Sequence, residues 1–168
     1  IPTETLPTQD PSICTETTGT ISGMAVRSHA ADAGITISLL DANGQVVAST
    51  TTEADGSYVT SGIPAGNYNI IAEALGHLPA QGTLTVVDCL NTDKPEVVLP
   101  AGYLVLKEQP VIDELDVVQL AISYGQTSGD AMTADLDENG RVGIGDLLAI
   151  AENLRLTGPV DWGDTQPQ

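Results

Sequence analysis

From Thr18 to about Pro100 apolar and polar side chains alternate in short runs separated by turn residues. In GITISLLD, Ile35, Ile37 and Leu39 fall on one face while Thr36 and Ser38 fall on the other, the period of a half-buried strand. Asn43-Gly44 follows at once. That dipeptide tolerates positive φ at both central positions and predicts a tight hairpin into QVVASTTTE. Asp55-Gly56 and Pro64-Ala65-Gly66 mark the next two turns. With TGTISGMAVR, SYVTS, NYNIIAEAL, GTLTVVD and EVVL the count reaches seven strands, at the spacing of a β-sandwich.

After Leu99-Pro100-Ala101-Gly102 the period lengthens. Leu115, Val118 and Ile122 recur at helical spacing, and so do Leu147, Ile150, Ala151 and Leu154, which predicts two amphipathic helices. Sliding one on the other aligns Asp116 with Asp146, Val117-Val118 with Leu147-Leu148, and Tyr124 with Leu154, always 30 residues apart. This is an internal duplication. The chain therefore reads as mainly β with a small α module. Residues 1–17, with Pro2, Pro7 and Pro11, form an extended arm, residues 18–101 the seven-stranded sandwich, and residues 102–168 the helical module.

The second half-repeat opens with ADLDENGRVGIGD. Calcium takes six to eight oxygens, and a twelve-residue loop supplies them from its first, third, fifth, seventh, ninth and twelfth positions, with glycine sixth for the sharp turn. Those slots fall on Asp135, Asp137, Asn139, the Arg141 carbonyl, Gly143 and Asp146, with Gly140 sixth. Gly143 has no side chain, so a water stands in, and Asp146 replaces the usual glutamate. In the first half-repeat the same spacing puts Val105 first, Lys107 third, Gln109 fifth and Pro110 sixth. An ammonium and an apolar side chain do not coordinate calcium, so one Ca2+ is expected, not two. A module of this size buries little apolar surface, and the metal is expected to stabilise its fold.

The stretch TEADGSYVTSGIPAGNYNIIAEALGHLPA resembles the carboxypeptidase-regulatory-like and CnaB-like family of prealbumin-type, Ig-like sandwiches, most specifically in D-G-S-Y and G-I-P-A-G-N-Y. The resemblance implies a structural module of secreted proteins. Some relatives cross-link themselves through a first-strand lysine, which GTISGMAVR lacks; Lys94, the domain's lysine, reads as lying in a turn. From Tyr103 to about Trp162 the duplicated loop and helix resemble a dockerin. That implies a cohesin-like partner met by residues late in each loop and along the helices, here Ile144-Gly145 and Glu114-Leu115. In that family a tail aromatic clasps a proline near the module's start; Trp162 either does this or fills a gap over the helices.

Charge narrows the partners. With 23 acids against 5 bases the formal charge is −18, which repels a nucleic-acid backbone or an anionic bilayer. No run of eighteen apolar residues is present, so no membrane insertion is expected. A start at Ile1 without Met suggests a removed targeting peptide and a secreted, extracellular or cell-surface location. Cys14 and Cys89 read as one disulfide, the alternative being two separate thiols; closing about 75 residues would be worth roughly 4.5 kcal/mol. His29 and His77 have no ligand or catalytic partner at motif spacing and read as surface or turn residues. No nucleophile elbow, metalloprotease helix or phosphate loop occurs, so the chain reads as no enzyme. The expected function is a non-catalytic secreted structural and interaction protein, its partners other copies of itself assembled into a fibre or surface layer, or a cohesin-like scaffold receptor.

Overall fold

The structure, a computed structural model, describes residues 17–165. The arm up to Glu16, and with it Cys14, lies outside the described residues. Among the described residues ten strands form: β1 (Thr18–Arg27), β2 (Thr36–Leu40), β3 (Val46–Thr51), β4 (Ser57–Pro64), β5 (Gly66–Glu73), β6 (Gly76–His77), β7 (Ala80–Val86), β8 (Asn91–Leu99), β9 (Ala101–Tyr103) and β10 (Val160–Thr165). Between β9 and β10 lie helices α1 (Glu114–Ser123) and α2 (Ile144–Asn153), with a 3-10 turn over Asp130–Ala134.

One sheet has the order β4-β1-β8 and faces a second of order β10-β7-β5-β2-β3. Their inner faces carry the alternating apolar residues: Ile21 on β1, Ile37 and Leu39 on β2, Ile70 on β5 and Leu84 on β7 all lie in one core, each at most 1% exposed. The β2–β3 hairpin forms on Asn43-Gly44. Asp41 Oδ1 accepts the Asn43 and Gln45 amides at 2.8 and 2.9 Å, and Gly44 takes φ +77°.

Among the described residues eight strands build the sandwich, not seven. The eighth is β10, which the sequence pattern placed in the helical module; it pairs parallel with β7, Val160 opposite Ala80 and Thr165 opposite Leu84. It satisfies an otherwise open row of backbone groups along β7 and carries a large apolar side chain into the core. Trp162 is 4% exposed there, edge-on to Tyr58 with centroids 6.1 Å apart, and its Nε1 donates to Pro95 O at 2.7 Å. It therefore neither clasps a proline at the module's start nor covers the helices. Lys94 is also not in a turn. It sits within β8, buried, with Nζ donating to the carbonyls of Thr83 and Gly163 at 3.0 and 2.8 Å.

A second core lies under the helices. Ile112, Leu120, Val142, Ala149 and Ile150 pack with Leu78, between β6 and β7, and with Ala101 of β9, the strand that leaves the sandwich. At Gly102, φ +121°, a Cβ would stand 3.2 Å from the Ile150 Cα, so the glycine lets α2 lie directly on β9.

The duplication is written in the backbone. Both helices have ten residues and a capping arrangement with an aspartate at the third position, Asp116 or Asp146. Both end on a residue with ψ 130°, Tyr124 and Leu154, followed by a left-handed residue, Gly125 (φ +83°) and Arg155 (φ +72°). The halves then grip each other reciprocally. Gly125 and Arg155 amides donate to Val142 and Ile112 carbonyls, each at 2.8 Å, and the amides of Val142 and Ile112 donate back to Gln126 and Leu156, each at 3.0 Å. Among the described residues no helix is long and apolar enough to cross a membrane.

Candidate metal centre

Three of the five predicted ligands converge. Single carboxylate oxygens of Asp135, Asp137 and Asp146 all lie within 4.8 Å of one another. The loop folds this way because its own amides turn inward onto those carboxylates. Asp146, wholly buried, accepts the Leu136 and Asp137 amides on Oδ1 at 2.6 and 3.1 Å and the Gly143 amide on Oδ2 at 2.7 Å. Asp135 accepts the amides of Asn139 and Gly140, and Asp137 also takes that of Asn139. Gly140 has φ +89°, the turn that the sixth slot requires.

Asn139 stands at the exposed tip, where its Oδ1 accepts the Arg141 amide at 3.0 Å. Arg141 is exposed, as its carbonyl role allows. Burial pushes the Asp135 carboxyl up, and so do the Asp146 and Asp137 charges, against the pull of the Gly140 and Asn139 amides. Like charges this close repel by about 3 kcal/mol per pair at an effective dielectric near 20. A divalent cation removes that cost, and the all-oxygen, carboxylate-rich donor set suits a hard ion such as calcium.

Of the predicted contact residues, Leu115 is 57% and Ile144 62% exposed, and Glu114 is exposed beside Leu115. Gly145 is different. It is half-buried, and a Cβ there would collide with Asp137 Oδ2, so the glycine makes room for the acidic loop.

Several residues that bind the loop to the rest were missed. Glu138, left-handed at φ +53°, pairs with Arg27 Nη1 at 2.9 Å and accepts the Ala31 amide at 3.3 Å, tying the loop to the turn after β1. His29 Nε2 lies 2.9 Å from Glu152 on α2. His77 is not a surface residue: it is 3% exposed, its ring nitrogens facing the Leu75 and Ser28 carbonyls at 2.8 and 3.1 Å. Burial lowers its pKa. Cys89, at φ +63° in the turn before β8, is not a free thiol, and its amide donates to Thr18 O at the start of β1.

Fold and site together define a class: a β-sandwich that extends into a duplicated loop-and-helix unit with one acidic loop. Residues 20–99 match the carboxypeptidase regulatory-like domain family. Among solved structures, a chain in the crystal structure of a type II Cohesin-X-Dockerin complex from Acetivibrio cellulolyticus, an N-terminal interface mutant, is similar at TM-score 0.63 and 18% identity. The match covers 83% of this chain and 97% of that one. The C-terminal interface mutant of the same complex gives TM-score 0.63 and 16% identity over the same shares. A minor pilin of Streptococcus agalactiae is similar over 55% of this chain and 49% of its own, at 16% identity and TM-score 0.41. No curated protein matches the chain by sequence. At such identities the likeness is one of fold.

Proposed function

We propose that the chain is a non-catalytic, secreted structural and interaction protein, whose calcium-stabilised, dockerin-like end and β-sandwich make protein–protein contacts with other copies of itself. The observation that carries this reading is the apolar surface left outside both cores. On α1, Leu115, Val118 and Ile122 are 57%, 53% and 71% exposed; on α2, Ile144 and Leu148 are 62% and 56% exposed. Val118 and Leu148 occupy equivalent positions of the two half-repeats. Apolar side chains repeated outward on two neighbouring helices are a docking surface more readily than an unused one. A Cys14–Cys89 disulfide would tie the arm to the sandwich.

The second reading, an adaptor that binds a cohesin-like receptor, is favoured by a different observation. The similarity to a chain of the Cohesin-X-Dockerin complex extends over 83% of this chain, more than the sandwich alone. Light scattering and electron microscopy in calcium separate the two readings from each other and from neither. Assembly by the purified chain supports the first. A chain that stays monomeric yet binds immobilised type II cohesin supports the second, and a monomer that binds nothing overturns both. In whichever assay is positive, Leu115→Asp with Ile144→Asp is expected to weaken association by about 30-fold or more, the loss of a hot spot of roughly 2 kcal/mol.

Calcium is tested separately, by calorimetry. With free calcium at a hundred times its Kd, mass action stabilises the folded state by about 2.7 kcal/mol. That corresponds to a rise of roughly 10–20 °C in the melting of the C-terminal half relative to chelator. Equal melting in calcium and chelator would mean that the loop holds no structural ion.

A further inference from the structure

Lys107 reads from sequence as one of the residues, with Val105 and Pro110, that spoil the first loop. Its position in the fold gives it a different role. The Lys107 ammonium touches three oxygens: Val111 O at 2.8 Å, Asp113 Oδ1 at 2.9 Å and Asp116 Oδ2 at 2.8 Å. Thirty residues on, the same three positions are Arg141, Gly143 and Asp146, which are the seventh, ninth and twelfth slots of the acidic loop.

The surrounding backbone repeats the correspondence. Asp116 is wholly buried, and its Oδ1 accepts two consecutive amides, Leu104 and Val105, both at 2.8 Å, while Oδ2 accepts the Asp113 amide at 2.8 Å. Asp146 does the same with Leu136, Asp137 and Gly143. The first loop differs in holding two more residues between Val105 and Val111 than the second holds between Asp137 and Arg141. That extra length swings Lys107 inward.

We propose that Lys107 is the built-in cation of the first half-repeat: its ammonium takes the place that a divalent ion takes in the second loop, so this half is held closed without metal. The reading rests on the acidic loop being a calcium loop. A single charge with three donors suits a pocket that offers one carbonyl and two carboxylates. The side chain is held on its other sides as well. The Tyr103 hydroxyl accepts the Lys107 amide at 2.8 Å, and the Tyr103 ring lies 5.8 Å from the ammonium. Burial pulls the ammonium's pKa down, but the hydrogen bonds it donates to Asp116 and Asp113, with their charges, outweigh it and hold the group above its ordinary value.

Two measurements on the whole chain test this. Amide exchange in calcium and in chelator is expected to leave protection in α1 within about twofold while α2 loses at least tenfold; equal loss in both helices would overturn the proposal. Lys107→Met, which keeps the stem and removes the charge, is expected to lower α1 protection at least tenfold even in saturating calcium. Protection unchanged from wild type in that variant overturns the proposal, however the second loop behaves. An α2 indifferent to chelator would instead count against calcium in the second loop and leave the Lys107→Met result to judge the first.

Discussion

Trp162→Ala is expected to destabilise the protein by about 3–5 kcal/mol, the usual range for emptying a buried aromatic site. That is a large part of the 5–15 kcal/mol that holds a typical domain together. The side chain is 4% exposed among the sandwich residues, so the cavity opens in the larger core, although the residue lies after the helices in sequence. Its loss also strips β10 of its anchor. The strand holds few other apolar groups, Val160 being the other one, and depends on the close approach that Gly82 permits, where a Cβ would meet the Gly163 carbonyl at 2.5 Å. Chemical denaturation followed by far-UV circular dichroism measures the effect. Trp162→Phe keeps the apolar bulk and leaves the Pro95 carbonyl without its donor, so a loss of about 1 kcal/mol is expected. A cost near zero for the alanine variant would mean that β10 is not seated on β7. Because Trp162 is the only tryptophan in the chain, wild-type fluorescence reports the same docking directly.

Asp146→Ala is expected to unfold the helical half under conditions where the wild type is intact. The wholly buried carboxylate closes three backbone amides, and each donor left unsatisfied costs about 1–3 kcal/mol. Added calcium does not restore that half, because the last loop slot is gone. Asp146→Asn separates the two roles. It keeps one acceptor oxygen, enough for the Leu136 and Asp137 amides, but turns an NH2 toward the Gly143 amide, so its melting in chelator is expected to fall, though less than that of the alanine variant. It lacks the charge, so calcium no longer raises its melting temperature. Circular dichroism melts with and without calcium read both results, and an Asp146→Asn protein that calcium stabilises as fully as wild type would remove Asp146 from the ligand set.

The sandwich was legible where local chemistry repeats it. Strand alternation around Ile35, Ile37 and Leu39, and turns at Asn43-Gly44 and Asp55-Gly56, are short-range signals. The acidic loop was legible for the same reason, since D-x-D-x-N-G specifies a turn and its inward oxygens within six residues. What escaped depends on distant partners. VDWGDT has two aspartates and a glycine, and nothing local marks it as a strand; it becomes one because β7, some 80 residues earlier, offers an edge. Lys94 is polar and flanked by Asp93 and Pro95, yet it is buried because carbonyls of β7 and β10 converge on it. The role of Lys107 was hidden by alignment: a register of 30 residues is correct from Val111 onward, but the two extra residues before it move the side chain from a spoiled slot to the middle of the pocket.

The path of the chain has a mechanical consequence. It leaves the sandwich after β8, builds the helical half, and returns as β10, so Thr18 and Thr165 both belong to sandwich strands. Tension applied between those two points runs across the β-layers and does not pull through the acidic loop. The helices hang beside the load path, anchored at both ends, and keep their shape until β10 shears from β7.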